Sequence, residues 1–189
     1  MPLILFLAAF AVLFFYAVAL YNGLVRLKHE VSKSWANIDV LLKQRNEELP
    51  KLVDVCRHYS QFEQQTLTQV MEARAMLSEA ARAANVGRVG ELESTLRGLT
   101  GQIFAVAEAY PELKADQQFQ HLMQRISQLE ESIADRRELY NEAVNNNNVR
   151  IEQFPDVLVA NVCGFHSARP LSFAEAEKRD VNVHELFSR

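Results

Sequence analysis

The hydrophobic pattern changes abruptly about twenty residues into the chain. From Leu3 to Leu20 it reads LILFLAAFAVLFFYAVAL, with no charge and Tyr16 as its one polar tip. Eighteen residues at about 1.5 Å each span roughly 27 Å, near the thickness of a bilayer's hydrocarbon core. A helix apolar on every side has no polar face to turn to water. After Leu20 the apolar positions become periodic instead. Leu24, Leu27, Val31, Trp35, Ile38, Leu42 and Leu49 recur at steps of 3, 4 and 7, which marks one buried helical face. No Pro- or Gly-rich linker separates the two patterns, so one helix is expected to leave the membrane and enter the bundle. A kink or restart is expected at Pro50, because proline costs a helix interior about 3 kcal/mol but suits a first turn.

Three further runs follow. Leu52, Val55, Tyr59, Phe62, Val70, Ala73, Leu77 and Ala80 predict a helix from Lys51 to about Ala84, with Asn85-Val86-Gly87 as the stop. Val89, Leu92, Leu96, Leu99, Ile103 and Val106 keep helical spacing without a miss until Tyr110-Pro111 breaks it. Phe119, Leu122, Ile126, Leu129, Ile133, Tyr140 and Val144 predict a last long helix to about Glu152. The four asparagines from Asn145 to Asn148 are poor helix formers and predict fraying or a helix end. Phe154-Pro155 and VLVANVCGF predict a short extended apolar segment, laid on the bundle or in the membrane interface, before a polar tail.

The fold class is therefore all-α: a transmembrane helix continuous with an antiparallel bundle of about four long helices. The expected organisation is an anchor over residues 1–22, a bundle over 23–153, an extended segment over 154–166 and a polar tail over 167–189. Only 6 Gly and 5 Pro occur, and no sheet is expected. Ala17-Val18-Ala19 resembles a signal-peptide cleavage site, but the basic n-region is missing and the apolar run is long, which favours an uncleaved span. Arg26, Lys28 and Lys33 follow the span and no basic residue precedes it, which predicts the N-terminus outside and the bundle cytoplasmic, at the inner (plasma) membrane. Tyr21 suits an interfacial anchor.

Composition and motifs narrow the function classes. A net charge of -4, with basic residues scattered among acids, argues against nucleic-acid binding. Cys56 and Cys163 form no metal-binding or redox spacing and are read as free, partly buried thiols. The histidines (His29, His58, His121, His166 and His184) show no HxxxH or HExxH spacing, and neither His58 nor His121 has a glutamate three residues earlier for a di-iron motif. There is no phosphate loop and no nucleophile elbow. No catalytic, cofactor-binding or metal-binding residue is assigned, and no cofactor is expected.

Charges on the apolar stripes need partners. Arg45, seven after Ile38, and Arg136, seven after Leu129, fall at core-facing positions. Each calls for a carboxylate from a neighbouring helix, with Asp39, Glu72, Glu108 and Glu142 as candidates. A register-fixing network is preferred to an internal binding site. Trp35 and Tyr140 read as core aromatics with their polar atoms at the rim.

The blocks YNGLVRLKHEVSKSWANIDVLLKQRNEELPKLVDVCRHYSQFE from Tyr21, EAYPELKADQQFQHL from Glu108, RRELYNEAV from Arg136 and FPDVLVANVCGF from Phe154 form an ordered series. Taken together they resemble the LemA family of bacterial membrane proteins. Leu41, Gln44 and the Asn145–Asn148 run depart from the usual family text. The resemblance implies one N-terminal transmembrane helix, the N-terminus outside, a helical bundle on the other side and no catalytic residues. The expected function is a membrane-anchored, self-associating scaffold or adaptor with no catalytic activity. Its expected partners are the lipid bilayer, further copies of itself and other membrane proteins. The alternative is a signal-transducing or ligand-sensing bundle with a pocket at the buried charges.

Overall fold

A computed structural model describes residues 1–59 and 64–172. Six helices follow in order: α1 (Pro2–Arg57), α2 (Gln64–Arg82), α3 (Val86–Ala107), α4 (Pro111–Ala115), α5 (Gln117–Glu152) and α6 (Asp156–Cys163), with no strand among the described residues. The fold is all-α, as the periodicity predicts. Expected features at Phe62 and along the tail beyond Ser172 lie outside the described residues.

The chain divides into two compact units. One holds Met1–Ile38 and Arg136–Pro170, the other Asp39–Asp135 and the described residues from Leu171 on. In the first, α1 and α5 run antiparallel: Trp35 meets Tyr140 with ring centroids 5.6 Å apart, while Leu24, further back on α1, packs with Ile151, further on in α5. Tyr140 is buried and its hydroxyl donates to the Arg169 carbonyl at 2.9 Å, so the ring is a core aromatic with a satisfied tip. In the second, the later part of α1 packs with α2, α3, α4 and the early part of α5 around Leu49, Leu67, Leu96, Ile103, Leu113 and Ile126, all essentially without solvent exposure.

α1 is a single helix of 56 residues and does not restart at Pro50. Proline removes the N–H that would reach the carbonyl four residues earlier, at Asn46. That carbonyl accepts a bond from Arg74 Nε on α2 at 2.8 Å. Leu49, Leu52, Val53 and Cys56 are buried on either side, and packing holds the helix through the defect. The expected helix from Lys51 to Ala84 is instead divided: Lys51–Arg57 belong to α1, which closes with the short bonds His58 N to Val55 O and Tyr59 N to Cys56 O.

Other boundaries have local causes. α2 ends before Ala84, which adopts φ of 50°, and Asn85 caps α3 by accepting the Arg88 N–H at 3.2 Å. The residue read as part of a stop signal is thus the start signal of the next helix. Pro111 opens α4, and the Asp116 side chain caps α5 by accepting the N–H groups of Gln118 and Phe119. These bonds hold the Asp116 carboxyl below its ordinary range, the Phe119 bond most of all.

Two expectations near the end of α5 are corrected. The helix does not fray at Asn145–Asn148: Asn148 donates to the Ala168 carbonyl at 2.9 Å and accepts the Ala168 N–H at 2.8 Å, and Asn147 is buried beneath the same segment. Tertiary bonds to this returning strand of chain outweigh the low helix propensity of asparagine. Residues 156–163, expected to be extended, form α6. Its N-terminus is tied down by Arg150 to Asp156 at 2.6 Å, and Gly164, at φ of 71°, ends it in the left-handed conformation that glycine adopts without strain.

The apolar start of α1 stands apart from this packing. Its side chains from Leu3 to Phe15 are largely exposed, and the helix is long and apolar enough to cross a membrane. That combination points to membrane association, since water would not tolerate so long an uncovered apolar surface.

Candidate functional site

The most unusual chemistry in the second unit is a charge with no solvent exposure. Arg45 lies on the buried stripe of α1 between Leu42 and Leu49, and its guanidinium forks onto Glu93 of α3. Nη1 donates to Oε1 at 2.5 Å and Nη2 to Oε2 at 2.6 Å. Glu93 is itself only 3% exposed. Paired, parallel bonds of this kind satisfy both charges and fix the rotation and height of one helix against the other.

Glu93 is the partner that sequence reasoning missed. The α3 stripe was traced through Leu92, Leu99 and Val106 because those residues are apolar. The helix also buries Glu93, Thr100 and Ala107, whereas Leu99 and Val106 are only partly covered. The signal was present: Glu93 falls four after Val89 and three before Leu96, on the same face. The proposed acids lie elsewhere. Asp39 binds Lys43 one turn along α1 at 2.6 Å, Glu108 pairs with Lys114, and Glu72 and Glu142 are exposed.

Arg136 is exposed rather than buried. A straight helix drifts by about 20° per heptad, and the α5 stripe passes from Ile133 to Tyr140, leaving position 136 outside. Beside the Arg45–Glu93 pair, Glu130 of α5 is largely covered, and its Oε1 has no hydrogen-bond partner. Burial pushes its carboxyl above the ordinary value, and the charge of Glu93 adds to this, against the opposing pull of Arg45 and Arg97.

Nearby, α1 and α2 enclose a cavity of about 100 Å³ lined by Asp39, Leu42, Lys43, Asn46, Leu77, Ser78, Ala81 and Arg82. It has room for a few water molecules rather than an organic ligand. Among the described residues no three His, Cys, Asp or Glu side chains are placed to hold a metal ion. Cys56 is buried and Cys163 exposed, both as free thiols, so the expectation of two partly buried thiols is met by neither. Burial pushes the Cys56 thiol up to about 12, which keeps it protonated and unreactive at neutral pH. The arrangement is suited to locking helices together: each buried charge in the fork already meets its opposite.

Residues 34–184 match the sequence profile of the LemA family, which is most of the chain. The chain belongs to the LemA family. It is 26% identical to Protein LemA of Metamycoplasma hominis over 97% of its own length and 83% of that protein's. It is also 23% identical to Magnetosome protein MamQ 2 of Paramagnetospirillum magneticum, over 88% of this chain and 70% of that protein. Neither the family description nor these names denote a reaction. The LemA-family match includes Arg45, Glu93 and Glu130, so the buried lock lies within the region that defines membership.

Proposed function

We propose that this LemA-family chain is a membrane-anchored scaffold or adaptor without catalytic activity, which self-associates at the inner membrane with its N-terminus outside and its bundle cytoplasmic. One observation carries the reading: a single unbroken α1 bears both the exposed apolar segment and, further on, a buried stripe. An enzyme or soluble ligand carrier gains nothing from such a junction. A scaffold does, because a helix without a flexible linker fixes how the folded part is presented at the membrane, and fixed presentation favours ordered contact between copies. The orientation rests on the exposed Arg26, Lys28 and Lys33 that follow the apolar segment. A ligand-sensing bundle would need a pocket at the buried charges, and the fork of Arg45 and Glu93 closes these two on each other, although Glu130 beside them keeps an unpartnered oxygen.

The test is chemical cross-linking of the full chain in detergent and in lipid nanodiscs or vesicles. A defined ladder of oligomers in lipid is expected. Monomer alone under both conditions overturns self-association.

A further inference from the structure

We propose that α6 is a second membrane-contacting element, embedded in the leaflet that the folded part faces, with a lipid acyl chain filling the cleft between α6 and the end of the apolar segment of α1. The inference rests on the reading of α1 as a membrane anchor and adds to it a site and an occupant.

The geometry is confined to the first unit. One face of α6 is docked: Ala160 is buried with Leu24 and Ile151, Val159 and Phe165 pack against that cluster, and the Phe165 ring meets Tyr21 edge-on at 5.8 Å. The opposite face is bare. Leu158 and Val162, one turn apart on α6, are 59% and 87% exposed, and Phe154, just ahead of the helix, is 75% exposed. From Val157 to Phe165 the chain carries no charge, and the Asp156 carboxylate just before it is turned inward onto Arg150. So short a segment, with Asn161 as its one exposed polar side chain beside Leu158 and Val162, is ill suited to water.

Its position decides the occupant. A cleft of about 400 Å³ is lined by Phe14, Ala17, Val18 and Tyr21 of α1 and by Leu158, Val159, Val162 and Cys163 of α6. Phe14, Ala17 and Val18 belong to the last turns of the apolar segment, and Tyr21 directly follows it. Phe14 to Tyr21 covers about 10 Å along a helix, so α6 lies beside that length of the anchor. Leu20, inside the same run, is already buried. Any element that packs at this level shares the depth of the anchor, and its outward face must meet whatever the anchor meets. If α1 enters the bilayer, the outer face of α6 meets lipid, and an apolar cleft open at that depth is filled by hydrocarbon. Arg26 and Lys28, exposed one to two turns further on, fall where headgroups would lie.

Spin-label accessibility in the reconstituted full chain tests this. Cys163→Ser removes the one exposed thiol, and the buried Cys56 stays unlabelled. Labels are placed singly by Val162→Cys, by Phe10→Cys as the anchor reference and by Glu47→Cys as the water reference, all at exposed positions. Vesicles of mixed zwitterionic and anionic lipid are used, and collisions with oxygen are compared with those of a water-soluble nickel chelate. The expected result is an oxygen-to-nickel ratio at Val162 close to that at Phe10 and at least several-fold above that at Glu47. A water-like Val162 beside a lipid-like Phe10 overturns the proposal and leaves the anchor standing. Low collision with both reagents at Val162 means that a second copy covers the face, which also overturns it. A water-like Phe10 overturns the anchor reading itself.

Discussion

A guanidinium with no exposure needs a counter-charge and acceptors in place of water, and Arg45 donates two parallel bonds to the Glu93 carboxylate, while its Nε is buried without a partner. Removing one partner leaves the other buried and uncompensated. Arg45→Met is expected to cost about 3–5 kcal/mol, whereas Arg45→Met with Glu93→Leu costs far less than the sum of the two single changes. Denaturant titration of the four proteins of this cycle measures the coupling; additive losses would mean that the pair is not a functional lock. Glu130 gives a second prediction through pH. Its carboxyl titrates above its ordinary value of 4.5, so folding favours the protonated form. The stabilisation is complete below that ordinary value and is lost as pH rises through the higher, folded value. Glu130→Gln is therefore expected to raise the melting temperature at pH 7 and to leave it nearly unchanged below pH 4. An equal effect at both ends of the range would remove the pH argument. The buried position of Arg45 was legible from its spacing to Ile38, but its partner was not. Apolar residues at 92, 99 and 106 masked a stripe shared with 93, 100 and 107, and spacing within one helix does not say which residue on another lies opposite.

At the scale of elements, helix existence was easier to read than helix boundaries, and the reasons are tertiary. Pro50 continues a helix because Arg74, 24 positions later in the chain, donates to the carbonyl that proline orphans. The asparagines at 147 and 148 stay helical because a returning segment bonds them. The apolar run after Pro155 does not announce a helix in the sequence, since eight residues between Pro and Gly show too few turns for a helical period to stand out. The Pro50 defect yields a prediction of its own. Arg74→Met is expected to destabilise the chain by about 1–2 kcal/mol, the worth of a charge-assisted bond to an otherwise unpaired carbonyl. In a Pro50→Ala background the backbone N–H returns, and the same change should cost a few tenths at most. Equal penalties in both backgrounds would show that Arg74 acts through something other than Asn46. A second close fit lies at α3: a Cβ on Gly90 would collide with the Ser172 carbonyl oxygen. The neighbouring Leu171 is buried. Gly90→Ala must push backbone aside, and a loss of about 1–3 kcal/mol is expected in thermal unfolding, with Gly98→Ala, where nothing stands within 4 Å, as the neutral or stabilising control.

For the whole molecule, the compartment in which the folded part lies bounds its partners. The apolar segment itself is indifferent to direction, and the bias comes from what flanks it. Arg26, Lys28 and Lys33 lie within about one to two dozen residues of the apolar centre, where positive charge acts on orientation, and all three side chains are exposed. The single Glu30 between Lys28 and Lys33 has little weight, since the bias follows Lys and Arg rather than net charge. A reporter that fluoresces only in the cytoplasm, fused after Arg189, is expected to be active, and a phosphatase that works only outside the inner membrane is expected to be silent there. Arg26→Gln, Lys28→Gln and Lys33→Gln together with three lysines inserted after Met1 should shift activity towards the phosphatase. Strong phosphatase activity in the unaltered chain would reverse the proposed orientation and move the search for partners outside the cytoplasm, without touching the helical architecture or the lock at Arg45.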